Sequence, residues 1–284
     1  MHATMPPLEV HSLTAEAATQ QVLRPLAGRT AIVTGSTRGI GEGIARALAE
    51  AGCNLVLNGR RSGEEGDRLA DAFATAWNVE ARYHAADLRK SSHAERLIAF
   101  AQEQFGPVNI LVNNAGIQHA APIESFADAS WDEVLSLNLS AAFHATKAVL
   151  PGMRSRGWGR IINIASVHGL VASANKCAYV AAKHGLLGLT KVVALETAND
   201  GITCNAICPG WVLTELVQRQ VEARAAASGM TSAEARMELL RAKQPMHEFS
   251  STESIGALTV FLCGSHARTI TGAAYSMDGG WIAV

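Results

Sequence analysis

Tyr179 and Lys183 stand four residues apart in the run Tyr179-Val180-Ala181-Ala182-Lys183. On a helix this spacing puts both on one face, about 6 Å apart. A phenol with its ordinary pKa of about 10 is a poor base at neutral pH. An ammonium beside it favours the phenolate, so the pair is expected to lower that pKa and let Tyr179 take and return a proton. The same spacing also arises by accident on helices. Ser166 lies thirteen residues earlier, just past an apolar run ending at Ile164. There its hydroxyl could hydrogen-bond an oxygen on which charge changes. Asn138 sits within a long helical stretch, where Asn is a poor helix former and marks a kink with an ordered water.

A second cluster is built for phosphate. Residues Thr34 to Gly41 read TGSTRGIG, after an apolar run and at the start of a helical pattern. Gly35, Gly39 and Gly41 let backbone approach a pyrophosphate, whose charge then sits at a helix N-terminus. The spacing is G-x-x-x-G-x-G rather than the common G-x-G-x-x-G, and a turn serving only packing is the alternative. Asp87-Leu88 follows a third apolar run, where a carboxylate could accept from an adenine amino group. In Asn113-Asn114-Ala115-Gly116, after a fourth, Asn side chains can tie neighbouring strand ends together. The second run ends Leu57-Asn58-Gly59-Arg60-Arg61. It lacks the acid that holds a ribose 2′-hydroxyl in NAD sites. Arg38 and Arg60 could instead pair with the 2′-phosphate of NADP, or be solvated surface arginines.

These residues need a frame that brings them to one edge. Short β-branched runs predict strands at Thr30–Thr34, Asn54–Asn58, Glu80–His84, Val108–Val112, Arg160–Ile164, Thr203–Ile207 and Ala273–Ser276. Helical patterns fill Ile40–Ala51, Glu64–Trp77, Ser92–Phe105, a kinked span from Ser130 to Arg154, Tyr179–Ala198 and Glu253–Cys263. Ser92 with Glu95, and Ser130 with Glu133, have capping-box spacing. Alternation of strands and helices predicts an α/β fold: a doubly wound, seven-stranded parallel sheet covered on both faces, in one domain. The segment from about 213 to 251 interrupts it. It reads as a helix with Leu216, Val217 and Val221, then Gly229, then a helix capped by Thr231 and Glu234. Such a pair near strand ends would be a lid over a ligand, or surface padding.

The chain has 284 residues, enough for one sizeable core, and a net charge of −1. No basic field is available to draw nucleic acid, so small molecules or copies of the chain are the expected partners. No apolar run reaches the ~20 residues of a membrane helix. The stretch from Met1 to about Leu26 has no basic region followed by an apolar one. It carries Glu9 and Glu16 and no Arg before Arg24, unlike a mitochondrial transit peptide. Residues 1–25 are expected to be a flexible extension or an oligomer-contacting arm. The five cysteines and ten histidines show no metal-ligand spacing, so no metal site is expected. Small buried thiols suit a reducing cytoplasm.

TGSTRGIG, Asn113–Gly116, Asn138, Ser166, Tyr179 with Lys183, and Pro209-Gly210 followed by Thr214 together resemble the short-chain dehydrogenase/reductase family. The likeness runs from about Leu26 to Val284. It implies a Rossmann-type fold, a nicotinamide cofactor and a homotetramer. It also implies that Asn138, Ser166, Tyr179 and Lys183 form a proton-relay tetrad, with Lys183 also holding the nicotinamide ribose. By the same likeness Gly35, Ser36, Arg38, Gly39, Ile40, Gly41, Arg60, Asp87, Leu88, Asn114, Ala115, Gly116, Pro209, Gly210, Val212 and Thr214 would face the cofactor.

Gly116-Ile117-Gln118-His119, the stretch from His168 to Gly185 and Ile207 to Val212 are similar to segments of bacterial D-3-hydroxybutyrate dehydrogenases within that family. That likeness implies a small 3-hydroxy acid, with its carboxylate held by Gln118, His168, Lys176 and Gln220 and the pocket walled by Trp211 and Trp281. Taken singly, Lys176 could be a surface lysine, Gln220 a solvated helix residue and His168 a loop histidine. The likeness favours NAD(H), whereas Arg38 and Arg60 admit NADP(H). The expected activity, in ketone body metabolism, is interconversion of (R)-3-hydroxybutyrate and acetoacetate. The rivals are a relative acting on a sugar acid or 3-oxoacyl ketone, and a non-catalytic dinucleotide-binding regulator.

Overall fold

The computed structural model describes residues 24–284; most of the expected N-terminal extension, 1–25, lies outside them. The strands are β1 Thr30–Val33, β2 Asn54–Gly59, β3 Ala81–Ala85, β4 Ile110–Asn113, β5 Gly159–Ile164, β6 Ile202–Pro209 and β7 Ala274–Met277. The helices are α1 Gly39–Glu50, α2 Gly63–Trp77, α3 Ser91–Phe105, α4 Asp128–Leu135, α5 Ala141–Arg156, α6 Cys177–Glu196, α7 Glu215–Ser228, α8 Ser232–Arg241 and α9 Thr252–Cys263.

The strands form one seven-stranded sheet in the order β3-β2-β1-β4-β5-β6-β7, and every pairing is parallel. Period-two alternation decides which side chain goes where. Ala31, Val33, Leu55, Leu57, Ile110 and Val112 pack against Ile44 and Leu48 of α1, Phe73 of α2 and Ile255 of α9. Ile32, Val56, Leu111 and Ile161 face the other way, onto Leu97 and Ile98 of α3, Val149 and Met153 of α5 and Val193 of α6. Strands apolar on both faces need helices on both, so the sheet is doubly wound. The strand order reverses between β1 and β4, which opens a crevice at their carboxyl ends.

The long helical span from Ser130 to Arg154 is broken where Asn138 predicts. Ser136–Ser140 is a π turn between α4 and α5. Two expected caps do not form. The first residue of α3 is Ser91, with Lys90 at its N-cap and no side-chain cap; Ser92 Oγ instead accepts from Arg96. The start of α4 is Asp128 after Ala127, which puts Ser130 inside the first turn. Its supposed partner Glu133 is drawn away to Arg89 and His119. The Thr231–Glu234 capping box does form on α8. Gly229, at φ 62°, ends α7 in the left-handed region, and the two helices pack through Val221, Ala225 and Ala235.

Helix α1 is seated by a close crossing with α9. A Cβ on Gly43 would lie 2.5 Å from Thr252 Cβ and 2.9 Å from its carbonyl oxygen. Gly43→Ala is therefore expected to lower stability by about 1–3 kcal/mol, read as a lower guanidinium unfolding midpoint.

Candidate active site

The carboxyl ends of β1, β4, β5 and β6 meet at one edge, and side chains complete their hydrogen bonding there. Thr34 Oγ1 donates to Val112 O at 3.2 Å and accepts from the Asn114 and Ala115 amides at 2.9 and 3.0 Å. The Asn114 amide returns the tie, donating to Thr34 O and Gly35 O at 2.8 and 3.1 Å. Asn113 donates to Asn163 Oδ1 at 2.8 Å, and Asn163 donates to Thr190 Oγ1 at 2.8 Å, linking β4, β5 and α6.

The glycine-rich turn lies against this lattice. Gly35 and Gly39 sit at φ 63° and 59°, a region costly for other residues. A Cβ on Gly41 would lie 2.4 Å from both Asn114 Nδ2 and Gly35 O. Arg38, at the N-cap of α1, provides no side-chain cap, so the first amides of α1 are open to an anion. The turn is also held by Asn58, a fully buried residue not among the expected site residues. Its Oδ1 accepts from Gly35 N, and its Nδ2 donates to His84 O on β3. The sequence signal was the Asn standing where an acid was sought. Ser36 is buried and accepts from Asn58 N at 2.9 Å. Together the cradle, the open helix end and the strand-end crevice fit a dinucleotide. Arg38 and Arg60 are both exposed at its rim. Asp87 is held below the usual carboxylate range, at about 2, chiefly by hydrogen bonds from Arg89. Arg89 also pairs with Glu133, which reaches His119 at 3.0 Å. That charged chain was missed because Asp87 and Arg89 are remote in sequence from Glu133 and His119.

Next to the crevice lie the four residues that could move protons. Lys183 is buried and donates to Ile164 O at 2.7 Å; its Nζ is 5.6 Å from the Tyr179 ring centroid. Asn138 grips Ile117 twice, accepting from its amide and donating to its carbonyl, both at 2.8 Å. A cavity of about 10 Å³ bordered by Thr34, Asn113, Asn138 and Lys183 lies between them, about the space of one water. The expected lowering of the Tyr179 pKa is not found. Burial pushes the phenol up and outweighs a hydrogen bond from Ser166. Burial also brings Lys183 down to about 8, and its ammonium is engaged by Ile164 rather than by the phenol. Without further positive charge, Tyr179 is a proton donor.

Around Tyr179 the chain builds an aromatic wall. The His168 ring meets Tyr179 edge-on at 5.9 Å and Trp281 at 5.4 Å, and Trp281 lies 6.0 Å from Trp211. His168 is fixed by Ser173 Oγ at 2.9 Å and Ser166 Oγ at 3.4 Å. Burial, with help from Lys176 and Lys243, brings its pKa down to about 4. Lys176 is half-buried, with Nζ 5.9 Å from the Trp211 ring centroid. Gln118 and Gln220 are exposed, and neither has a side-chain bond to this wall. Ser173, Lys243 and Gln244 join the neighbourhood without having been expected. Gln244 accepts from Trp211 N at 3.1 Å, but no motif singles it out.

Comparison with known proteins fits this geometry. The family model for short chain dehydrogenases matches residues 29–225. The chain belongs to the short chain dehydrogenase family. It is 54% identical over 258 residues to the D-beta-hydroxybutyrate dehydrogenase of Cupriavidus necator, covering 91% of this chain and 99% of that one. It is 48% identical over 255 residues to the enzyme of the same name from Rhizobium meliloti, covering 90% and 99%. Among solved structures, L-sorbose reductase from Gluconobacter frateurii complexed with NADPH and L-sorbose superposes with a TM-score of 0.87 at 29% identity, covering 91% of this chain and 98% of that one. Family membership makes the chain a nicotinamide-dependent oxidoreductase. Among the described residues no helix is long and apolar enough to cross a membrane.

Asn138→Ala removes two part-buried bonds and leaves both backbone groups of Ile117 short of a partner. It is expected to cost about 2 kcal/mol, with faster hydrogen exchange at the Ile117 amide. An NMR titration of the free protein should find His168 half-protonated only at about 4. The unfolded chain takes up that proton first, at its ordinary pKa of about 6.5. This residue's contribution to stability is therefore present above about 6.5 and lost as the pH falls through the folded value.

Proposed function

We propose that the chain interconverts (R)-3-hydroxybutyrate and acetoacetate by hydride transfer with a nicotinamide cofactor. The observation that carries this reading is the setting of Tyr179. Its ring meets a neutral His168 edge-on, beyond which two indoles stand together with the Lys176 ammonium 5.9 Å from the Trp211 ring centroid. A short hydroxy acid has one charge and few atoms to grip. Lys176 would hold the carboxylate, His168 would turn its single N–H from Ser173 to the substrate, and Trp211 and Trp281 would confine the short carbon chain. Gln118 and Gln220, exposed in the free chain, would complete the site as the segment 213–251 closes as a lid. The identity to two enzymes named D-beta-hydroxybutyrate dehydrogenase supports the same substrate.

The cofactor's pyrophosphate would lie on the turn from Gly35 through Ser36, Arg38, Gly39 and Ile40 to Gly41. Asp87 and Leu88 would face the adenine. Asn114, Ala115 and Gly116 would follow the ribose, and Pro209, Gly210, Val212 and Thr214 the nicotinamide. When bound, the oxidised nicotinamide accepts the hydride from the alcohol carbon and the reduced form returns it to the ketone. In the oxidative direction Tyr179 takes the hydroxyl proton while Ser166 steadies the oxygen. Lys183 would hold the ribose; its ammonium is turned to Ile164 O, so a buried phenolate needs the further positive charge that an oxidised nicotinamide would supply beside it. Asn138 keeps Ile117, and with it the Gln118 segment, in place. In the reductive direction the raised phenol already carries the proton it must give.

The likeness favours NAD(H). The observation favouring NADP(H) is that Arg38 and Arg60 are exposed at the rim, and no acid ends β2. We also assign the exposed Phe143, Val192 and Leu195 on α5 and α6 to contacts between copies, in a homotetramer working in the cytoplasm. Sedimentation at micromolar concentration tests that assembly.

Tyr179→Phe should lower kcat about a thousandfold while cofactor binding, followed by fluorescence, persists. Arg60→Ala should cut kcat/KM for NADP(H) about tenfold and spare NAD(H); equal or absent effects would remove Arg60 from phosphate recognition. A panel of hydroxy acids, sugar acids and 3-oxoacyl esters with both cofactors tests the substrate. Preference for an uncharged ketone would overturn this reading.

A further inference from the structure

Lys243 follows α8 by two residues, outside every motif that suggests chemistry. Its Nζ lies 5.9 Å from the Trp281 ring centroid, as Lys176 lies 5.9 Å from that of Trp211. Those two indoles are neighbours, tilted by 34° at 6.0 Å. Two ammonium groups therefore flank one aromatic wall, with His168 against it. Burial, with a smaller contribution from Lys243, holds Lys176 below the ordinary lysine range. Among the described residues, neither lysine is paired with a carboxylate. Elsewhere on the surface Arg46, Arg219 and Arg224 have each found one. Converging cations without a counter-charge are unfavourable until an anion joins them.

Two further observations point the same way. The Trp211 indole N–H is buried and has no hydrogen-bond partner in the chain, an uncommon state that a carboxylate oxygen would relieve. The backbone carrying Lys243 is held in place although its side chain is exposed. The neighbouring Gln244 is buried, accepting from Trp211 N and donating to Met246 O and Glu248 O at 3.1 and 2.9 Å. A Cβ on Gly279 would lie 2.6 Å from its Nε2, so Gln244 has no room to shift.

We infer that Lys243 is a second cation of the substrate site, binding the carboxylate from the end of the lid while Lys176 binds it from the start of α6. The inference rests on the hydroxy-acid reading above. A carboxylate has lone pairs enough for both ammonium groups and the Trp211 N–H together. Lys243 then selects for the acid over its neutral derivatives, acting on binding rather than on the hydride step.

The test compares (R)-3-hydroxybutyrate with its methyl ester as substrates of Lys243→Met, Lys243→Arg and Lys176→Met enzymes. Lys243→Met should raise KM for the acid about threefold to tenfold, in keeping with a charged hydrogen bond weakened by exposure, with kcat changed far less. It should not change kcat/KM for the ester, and Lys243→Arg should restore the acid's KM. The inference is overturned if Lys243→Met affects acid and ester alike, or neither. If Lys176→Met alone raises the acid's KM, Lys243 fails and the hydroxy-acid reading stands. If neither variant distinguishes acid from ester, that reading fails as well.

Discussion

At the carboxyl edge of a parallel sheet the ladder runs out of backbone partners, and in this chain asparagine amides replace them. Asn114 holds the end of β4 to Thr34 and Gly35 beyond β1. Asn113 and Asn163 continue the tie to α6, and Asn58 fastens the glycine-rich turn to β3. Asn138 does the same for the loop at Ile117. Buried amides are stable only when their bonds are satisfied. Each one therefore fixes a strand end or a loop that would otherwise wander, and together these border the crevice beside the helix that carries Tyr179.

The fold was legible because its strands are apolar on both faces and its helices on one. Both patterns are local, and they put all seven strands and their covering helices where the structure has them, with ends displaced by a residue or two. The lost caps at Ser92 and Ser130 show the limit of such reading. Capping-box spacing is necessary for that motif, but the helix start is set by packing, and an N-cap earlier by two or three residues turns the expected cap into an ordinary first-turn residue. The π turn was legible as a kink because Asn138 is a poor helix former, whereas its double grip on Ile117 joins residues 21 apart and leaves no local trace.

The same division holds at the site. Glycines at fixed offsets, and a Tyr with a Lys one turn on, are short-range signals. Asn58, Lys243, Gln244 and the Asp87–Arg89–Glu133–His119 chain are not, since each acquires its place only when distant segments meet. The sign of the Tyr179 shift was also out of reach. Proximity to an ammonium argues for a lower pKa, but the distance between the groups and the loss of solvent decide the outcome. Here burial wins for both partners. The balance between phenol and phenolate is thus left to whatever charge enters beside them.

The cysteines carry a practical consequence. Cys53, Cys204, Cys208 and Cys263 are buried and unpaired, and burial pushes the Cys204 and Cys263 thiols up to about 12. Cys177 alone is partly open, at the head of α6 beside Lys176. The native fold therefore offers thiol reagents a single partly open cysteine. A maleimide dye attached there would stand beside Lys176, so its emission could report what binds near that ammonium without any engineered substitution.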